Sequence, residues 1–272
     1  MLQLLPLDHR KDEPNTRASF AKVIALMGET GDWKNLAGWL EGLRTARRRV
    51  WGWQLEKVVR RAVEGGRVGV VHDCLRRVEG TGLGLWDLRV AREVVWGAVA
   101  KAREGGWSRE GVERGVKFAE DVWELMFDPR HGEKMVGRED AKKRPEVIGV
   151  LVQMHAAKAV LFGEGKDEGG KVERYSGLML ARWENAELTL DEEDWNDANY
   201  KLLMWAPVWH GMALAQKVLD PSTPLAKNLR KKLTRDVEPL VQRAPAVLSA
   251  HAPEEGKRRG LKIYEELSQV SV

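Results

Sequence analysis

Short amphipathic segments dominate this chain, and brief glycine-bearing breaks separate them. Leu36, Ala37, Leu40 and Leu43 lie on one face of a helix, and further stretches before residue 127 repeat this spacing. The breaks include GETGD at 28–32 and EGGR at 64–67, and glycine just past a helix end accepts the left-handed conformation that stops a helix. Because short breaks between amphipathic helices make neighbours antiparallel, the sequence predicts an all-α fold of helical hairpins.

The glycines of these breaks also suggest a repeat. Gly66 follows Gly31 by 35 residues, and alignment on the two glycines gives contiguous units at 17–51 and 52–86. Each unit reads as a helix, a glycine turn, a second helix and a short link. In a third unit the turn glycine, Gly106, comes 40 residues after Gly66, which predicts a first helix about one turn longer.

The period weakens after residue 130, where a polar stretch begins. A longer helix is expected at 194–219, with Pro207 as a kink or break. The predicted organisation is an N-terminal extension at 1–16, helical repeats at 17–130, a polar loop at 131–146 and an irregular helical C-terminal half at 147–272 that continues the array.

The stretches MGETGDWKNLAGWLEGL (27–43) and AVEGGRVGVVHDCLRRV (62–78) together with this period resemble a degenerate pentatricopeptide-type array, an α-solenoid of helical hairpins. The resemblance covers about residues 17–127 and implies RNA binding, usually in mitochondria or chloroplasts. It also implies base-selecting residues at the fifth and last places of each unit, which here are Ala21, Glu56, Ala91, Trp51 and Trp86. Alanine cannot hydrogen-bond a base edge, and Glu56 would repel a phosphate backbone, so we expect surface docking instead of base-by-base reading.

Basic residues cluster, although the formal net charge is only +4 from 45 basic and 41 acidic residues. Arginine binds phosphate oxygens bidentately, so clusters that recur on successive units predict a phosphate-contacting stripe along one edge of the array. A solvated charged face is the alternative. The candidate residues are Arg44, Arg47, Arg48, Arg49, Arg60, Arg61, Arg76, Arg77, Lys227, Arg230, Lys231 and Lys232.

Other candidate chemistry has simpler explanations. The glycines at 28–32 have neither P-loop spacing nor a following lysine, so they are interpreted as a hairpin turn. His72, Asp73 and Cys74 are adjacent on a predicted helix and point about 100° apart, so they cannot converge on one metal ion. Several of the twelve tryptophans lie near links, where they either fill ridges between hairpins or stack on bases. No acid–base or nucleophile motif stands out, and the sequence predicts neither an enzyme nor a cofactor or metal.

The leading prediction is a non-catalytic, RNA-associated adaptor, either a mitochondrial ribosome component or a factor for organellar RNA or translation. Its expected partners are a structured RNA such as rRNA and neighbouring proteins of a larger complex, with no membrane span. The alternative is a protein-only scaffold or assembly factor that binds a partner helix or peptide. A single cysteine favours a reducing compartment, and the resemblance favours the mitochondrial matrix within that class.

Overall fold

The computed structural model describes residues 16–28, 30–132, 140–251 and 258–270. Most of these residues are helical and none forms a strand, which confirms the predicted all-α class. The α-helices are α1 (Thr16–Leu26), α2 (Thr30–Lys34), α3 (Leu36–Thr45), α4 (Gly52–Glu64), α5 (Val68–Arg76), α6 (Val78–Thr81), α7 (Leu88–Glu104), α8 (Arg109–Leu125), α9 (Pro129–Gly132), α10 (Pro145–Phe162), α11 (Lys171–Leu180), α12 (Trp195–Val218), α13 (Pro224–Lys232), α14 (Glu238–His251) and α15 (Arg259–Gln269).

Shorter helical turns complete the backbone. Short 3-10 turns lie at Ala141–Lys143, Glu168–Gly170 and Trp183–Asn185, and a π turn at Leu233–Val237 joins α13 directly to α14. The predicted N-terminal extension lies outside the described residues up to position 15. The predicted polar loop is described at 131–132 and 140–146, and there it includes the end of α9, a 3-10 turn and the start of α10.

The helices pack in chain order as two neighbouring rows. In the first row, α1 contacts α4, α4 contacts α7, α7 contacts α10, and α10 contacts α12. In the second row, α3 contacts α5 and α6, and α11 contacts α13. Side chains bridge the rest of this row: His72 of α5 packs on Phe118 of α8, and Trp123 of α8 packs on Tyr175 of α11. Within pairs, α5 packs on α4, α8 on α7 and α11 on α10, so each row covers the apolar faces of the other.

Local sequence signals explain where several of these helices begin and end. The Ser108 hydroxyl accepts a hydrogen bond from the Gly111 backbone N–H at 3.3 Å, and this contact caps the start of α8. Gly66 and Gly106 have φ of +71° and +60°, the left-handed conformation expected after a helix. Gly31 differs because it lies inside the short helix α2, so it is not the conformational equivalent of Gly66. The predicted extra turn is confirmed, since α7 has 17 residues and α4 has 13.

The centre of the molecule is the contact between α10 and α12. Gly211 of α12 lies so close to α10 that an added Cβ would come within 2.8 Å of the Gln153 backbone. Helix α12 continues through Pro207 over 24 residues, close to the predicted bounds. Within the described part of the chain, α10 alone has the length and apolar composition that a membrane-spanning helix needs, and 78% of it is buried inside the protein, as in a central core helix.

Helix α15 folds back across the first row. It packs along α12, where Gly260 allows the two backbones to approach closely: a Cβ there would lie 2.2 Å from the Asn199 carbonyl oxygen. The Gly260 N–H donates to Asn199 Oδ1 at 2.7 Å. Ile263 and Leu267 are buried, and Arg103 of α7 pairs with Glu266 at 3.2 Å. The last described helix therefore covers part of the α4, α7 and α12 surface.

Candidate nucleic-acid interface

Five exposed arginines meet at the place where the second-row helices α3 and α5 end, and we call this surface the α3–α5 edge. They are Arg44, Arg47 and Arg49 at the end of α3 and in the link to α4, and Arg76 and Arg77 at the end of α5. Arg48 lies in the same link and is half-buried. These residues come together because α3 packs side by side with α5 and α6, so the carboxyl ends of the two second-row helices are neighbours.

The carboxylate of Glu41 lies within this edge and is already paired. Arg77 Nη2 lies 2.5 Å from Glu41 Oε2, and this contact ties α5 to α3. The Arg44 guanidinium lies beside Gly82, which follows α6 in the left-handed conformation. Because Glu41 is engaged by Arg77, the remaining exposed guanidinium groups give the edge a cationic character suited to phosphate oxygens.

An exposed aromatic ring borders the same edge. Trp51 is 47% exposed, and the Arg49 guanidinium carbon lies 3.6 Å from the centroid of its ring system. This stack covers one face of the indole with a cation, a geometry that cation–π attraction favours. The sequence indicated only that some tryptophans near links would be exposed, and it gave no sign that Arg49 would cover Trp51.

Arg60 and Arg61 lie elsewhere, so the predicted single stripe does not include them. They are at the carboxyl end of α4, a first-row helix, and antiparallel packing places that end opposite the carboxyl ends of α3 and α5. Both residues line a cleft of about 570 Å³, formed with residues of α7, α12 and α15 that include Arg89 and Arg259.

The cations of this cleft are largely matched by acids. Arg60 Nη1 lies 2.9 Å from Glu56 Oε1, and Arg61 Nη1 lies 4.0 Å from Glu64 Oε2. Burial raises the pKa of Glu56 above its usual value, and the neighbouring Arg60 opposes this rise. The presence of carboxylates among the arginines makes this cleft a weaker phosphate-binding candidate than the α3–α5 edge.

The third predicted cluster lies on α13, at the far end of the second row. Lys227, Arg230 and Lys231 are exposed, and Lys232 is half-buried. Lys232 Nζ lies 3.0 Å from Asp236 Oδ2 and 5.5 Å from the Trp183 ring centroid. Helices α8 and α11 lie between this cluster and the α3–α5 edge along the row, so the two are separate basic surfaces.

A buried ion cluster was missed by the sequence analysis. Arg92 of α7 and Arg144, which precedes α10, both donate to Glu146 Oε1, at 3.0 and 2.9 Å. Arg144 also pairs with Glu187 at 2.9 Å, and Arg92 contacts the Tyr200 hydroxyl of α12. Burial alone would raise the pKa of Glu187, but Arg144 and Arg92 together hold it below its usual value. The cluster joins three first-row helices, and its arginines are paired with acids of the same chain.

The base-selecting places differ in exposure: Trp51 is exposed, Ala21, Glu56 and Trp86 are half-buried, and Ala91 is buried. Ala91 is fully buried, and Trp86 folds back so that its ring covers Gly84. Helix α15 and its partners occupy the neighbouring surface of α4 and α7, where Arg259 pairs with Glu64 and Glu93. A single RNA strand laid along the first row would have to displace this helix.

The residues at 72–74 point to different places, as the helical spacing predicts. His72 lies against Phe118 with its Nε2 3.8 Å from Asp121, Asp73 is exposed, and Cys74 is buried. Burial raises the pKa of the Cys74 thiol to about 12, which disfavours the thiolate that a metal would need. Within the described ranges, no group of three or more histidine, cysteine or acidic side chains is arranged to hold a metal ion.

Comparison with known proteins adds a second line of evidence. A family model described as mitochondrial ribosomal protein mS27 matches residues 1–266 of the chain. The chain is also 27% identical over 134 residues to the small ribosomal subunit protein mS27 of Neurospora crassa. That alignment covers 49% of this chain and 34% of the relative, so the chain spans about a third of the relative's length.

Proposed function

Since this chain belongs to the mitochondrial ribosomal protein mS27 family, we propose that it is a non-catalytic, RNA-associated component of the small subunit of the mitochondrial ribosome. Membership of this family places the protein in the mitochondrial matrix, the compartment that the sequence analysis favours. The observation that carries the proposal is the family match over nearly the whole chain. The partners are then the ribosomal RNA and neighbouring proteins of the subunit.

The helix order supports a pentatricopeptide-like solenoid as the scaffold for this role. First-row helices α1, α4, α7, α10 and α12 contact one another in sequence, and each of the last four is followed by a second-row partner that packs on it. Such stacking places equivalent ends of successive hairpins along common edges. Gly66 and Gly106, both in the left-handed conformation, follow α4 and α7 in the same way. The irregular continuation of α13 into α14 is where this pattern stops.

The α3–α5 edge is the proposed phosphate-contacting surface. Its exposed residues Arg44, Arg47, Arg49 and Arg76 have no acid of their own among the ion pairs described for the edge, and Arg77 is held by Glu41. Lys227, Arg230 and Lys231 on α13 form a second contact, because they are exposed and clustered at the other end of the same row. Two basic surfaces at the two ends of a rigid row suit the backbone of a folded RNA better than a single strand.

The position of helix α15 favours the α3–α5 edge over the surface of the first row as the RNA-contacting surface. The helix is held on α4, α7 and α12 by a buried apolar side and by the ion pairs of Arg259 and Glu266. With that surface covered by the protein's own helix, base-by-base reading along the first row is disfavoured. The protein then recognises phosphate positions and shape, with little dependence on sequence.

Affinity purification from mitochondria of the native host, with and without nuclease, tests this function. We expect the full-length tagged protein to recover small-subunit rRNA and small-subunit proteins, and we expect nuclease to reduce that protein set. Purified protein should also bind mitochondrial small-subunit rRNA, with an affinity that falls steeply between about 50 and about 200 mM salt. Failure to retain RNA at low salt, together with a partner set unchanged by nuclease, would support the protein-only scaffold instead.

A further inference from the structure

Trp51 is presented to solvent in a way that the other tryptophans are not. The structure describes all twelve tryptophans, and Trp51 alone is exposed, at 47%. One face of its indole carries the Arg49 guanidinium at 3.6 Å from the ring centroid. A large aromatic side chain that remains exposed beside arginines is unfavourable in isolation and is typical of a contact surface.

The backbone beneath Trp51 is held on both sides. Its N–H donates to Oε1 of the buried Gln54 at 2.9 Å, which fixes the start of α4. The next residue, Gly52, lies so close to the following hairpin that an added Cβ would be 1.8 Å from Asp87 Oδ2. The ring therefore projects from a rigid helix start, which lowers the entropy lost when a ligand stacks on it.

The corresponding tryptophan of the next unit has a different environment. Trp51 and Trp86 occupy the same place in the 35-residue period. Trp86 folds back over Gly84, where an added Cβ would lie 1.9 Å from its ring, and it is half-buried. The exposure of Trp51 is thus a property of its own surroundings and is not imposed by its place in the repeat.

We propose that Trp51 and Arg49 bind one unpaired nucleobase of an RNA whose phosphates contact the α3–α5 edge. The base stacks on the indole face opposite Arg49, and Arg44 and Arg47 hold the phosphates next to it. Stacking suits any base because each has a π-face, and the guanidinium behind the indole keeps the local field cationic. The cationic surroundings favour RNA over an apolar protein segment as the occupant. This inference rests on the proposed RNA-associated function and adds a base contact to it.

The test uses full-length protein and two fluorescently labelled RNA hairpins of equal length, one fully paired and one with a single unpaired adenosine. Anisotropy of the label measures binding, so the protein's other tryptophans do not interfere. We expect wild-type protein to prefer the bulged RNA by about tenfold, as one aromatic–base stack provides. Trp51→Phe should keep most of this preference and Trp51→Leu should abolish it, while affinity for the paired hairpin stays unchanged.

Two control variants separate this site from general effects. Phe127→Leu changes another exposed aromatic residue, 60% exposed at the end of α8, and should leave the preference intact. Arg49→Gln should reduce the preference more than Arg114→Gln, which removes an exposed arginine from α8. Equal binding of both hairpins by wild-type protein, or an equal preference in Trp51→Leu, overturns the nucleobase site but leaves the RNA function standing. Absence of binding to either hairpin at low salt counts against the RNA function itself.

Discussion

Arg259 and Glu93, 166 residues apart in the chain, form a close ion pair in which one guanidinium nitrogen contacts both carboxylate oxygens, at 2.8 and 2.9 Å. Glu93 is buried in the middle of α7, and Arg259 is the first residue of α15. The same guanidinium lies 3.4 Å from Glu64 at the end of α4. This contact fixes the last described helix across two earlier hairpins.

Arg259→Gln should lower the free energy of unfolding by about 3 kcal/mol, since it leaves the buried Glu93 carboxylate without its cation. Urea denaturation followed by circular dichroism measures this change. Arg103→Gln is the matched control on the same helix pair, because it breaks the partly exposed pair with Glu266 and should cost less than about 1 kcal/mol. The double variant Arg259→Gln with Glu93→Gln should be more stable than additivity of the two single changes predicts. Equal losses of unfolding free energy for Arg259→Gln and Arg103→Gln would mean that the buried Glu93 contact stabilises the fold no more than the partly exposed pair does.

Gly211→Ala should destabilise the contact between α10 and α12 by about 2 kcal/mol. The added Cβ would lie 2.8 Å from the Gln153 backbone, so one of the two central helices must shift. Gly69→Ala is the same substitution at an exposed position of α5 where nothing lies within 4 Å, and it should be neutral or stabilising by up to about 1 kcal/mol. Thermal unfolding measures both variants, and the melting temperature should fall for Gly211→Ala and stay the same or rise for Gly69→Ala. A neutral Gly211→Ala would show that the central helices yield without cost.

Much of this fold follows from local pattern, and the exceptions have a common cause. The stripes of apolar residues, the Ser108 N-cap and the longer third hairpin were all predictable because helix periodicity and caps are encoded within a few residues. The position of α15 was not predictable, because it depends on contacts such as Arg259 with Glu93 between distant segments. Gly31 was misread as a turn glycine, since its spacing to Gly66 matched although its backbone is helical.

The candidate site was predicted in part. The clusters at Arg44–Arg49 and Arg76–Arg77 lie at the neighbouring carboxyl ends of α3 and α5, since these second-row helices pack side by side. Composition gave no way to distinguish these from Arg60 and Arg61, which end a first-row helix and are matched by Glu56 and Glu64. The charged residues at 140–146 belong to the polar loop that the sequence predicts at 131–146, but long-range pairing with Arg92 buries Arg144 and Glu146. Phosphate contact by the α3–α5 edge stays a prediction.

His210 should make the protein less stable in mild acid. It is fully buried on α12 with Nδ1 3.0 Å from the Gln153 amide nitrogen, its ring is edge-on to Trp107, and Lys217 is the nearby cation on its own helix. Burial lowers the pKa of His210 to about 4, from an ordinary value near 6.5. The unfolded chain therefore binds the proton more readily between these values, and stability falls as the pH drops through this window.

The expected loss from this group between pH 7 and pH 5 is about 2 kcal/mol of unfolding free energy. Urea denaturation at both pH values measures it, and His210→Gln should flatten the dependence while retaining a polar partner for Gln153. His155→Gln should flatten the dependence to a similar extent, since burial, although opposed by Glu120 3.4 Å away, also lowers the pKa of His155 to about 4. An unchanged pH dependence in His210→Gln would assign the acid sensitivity to other groups.

The double variant Arg44→Gln with Arg47→Gln tests the α3–α5 edge as the phosphate contact. Each arginine that neutralises a phosphate releases condensed cations on binding, so its loss should reduce the slope of log affinity against log salt by about one. Full-length protein is titrated with mitochondrial small-subunit rRNA at several salt concentrations, and the slopes are compared. The control is the double variant Arg114→Gln with Arg243→Gln, which removes the same charge from exposed positions on α8 and α14. An equal fall in slope for both variants would mean that net charge, and not this edge, governs binding, whereas a fall confined to Arg44 and Arg47 would assign about two phosphate contacts to the carboxyl end of α3.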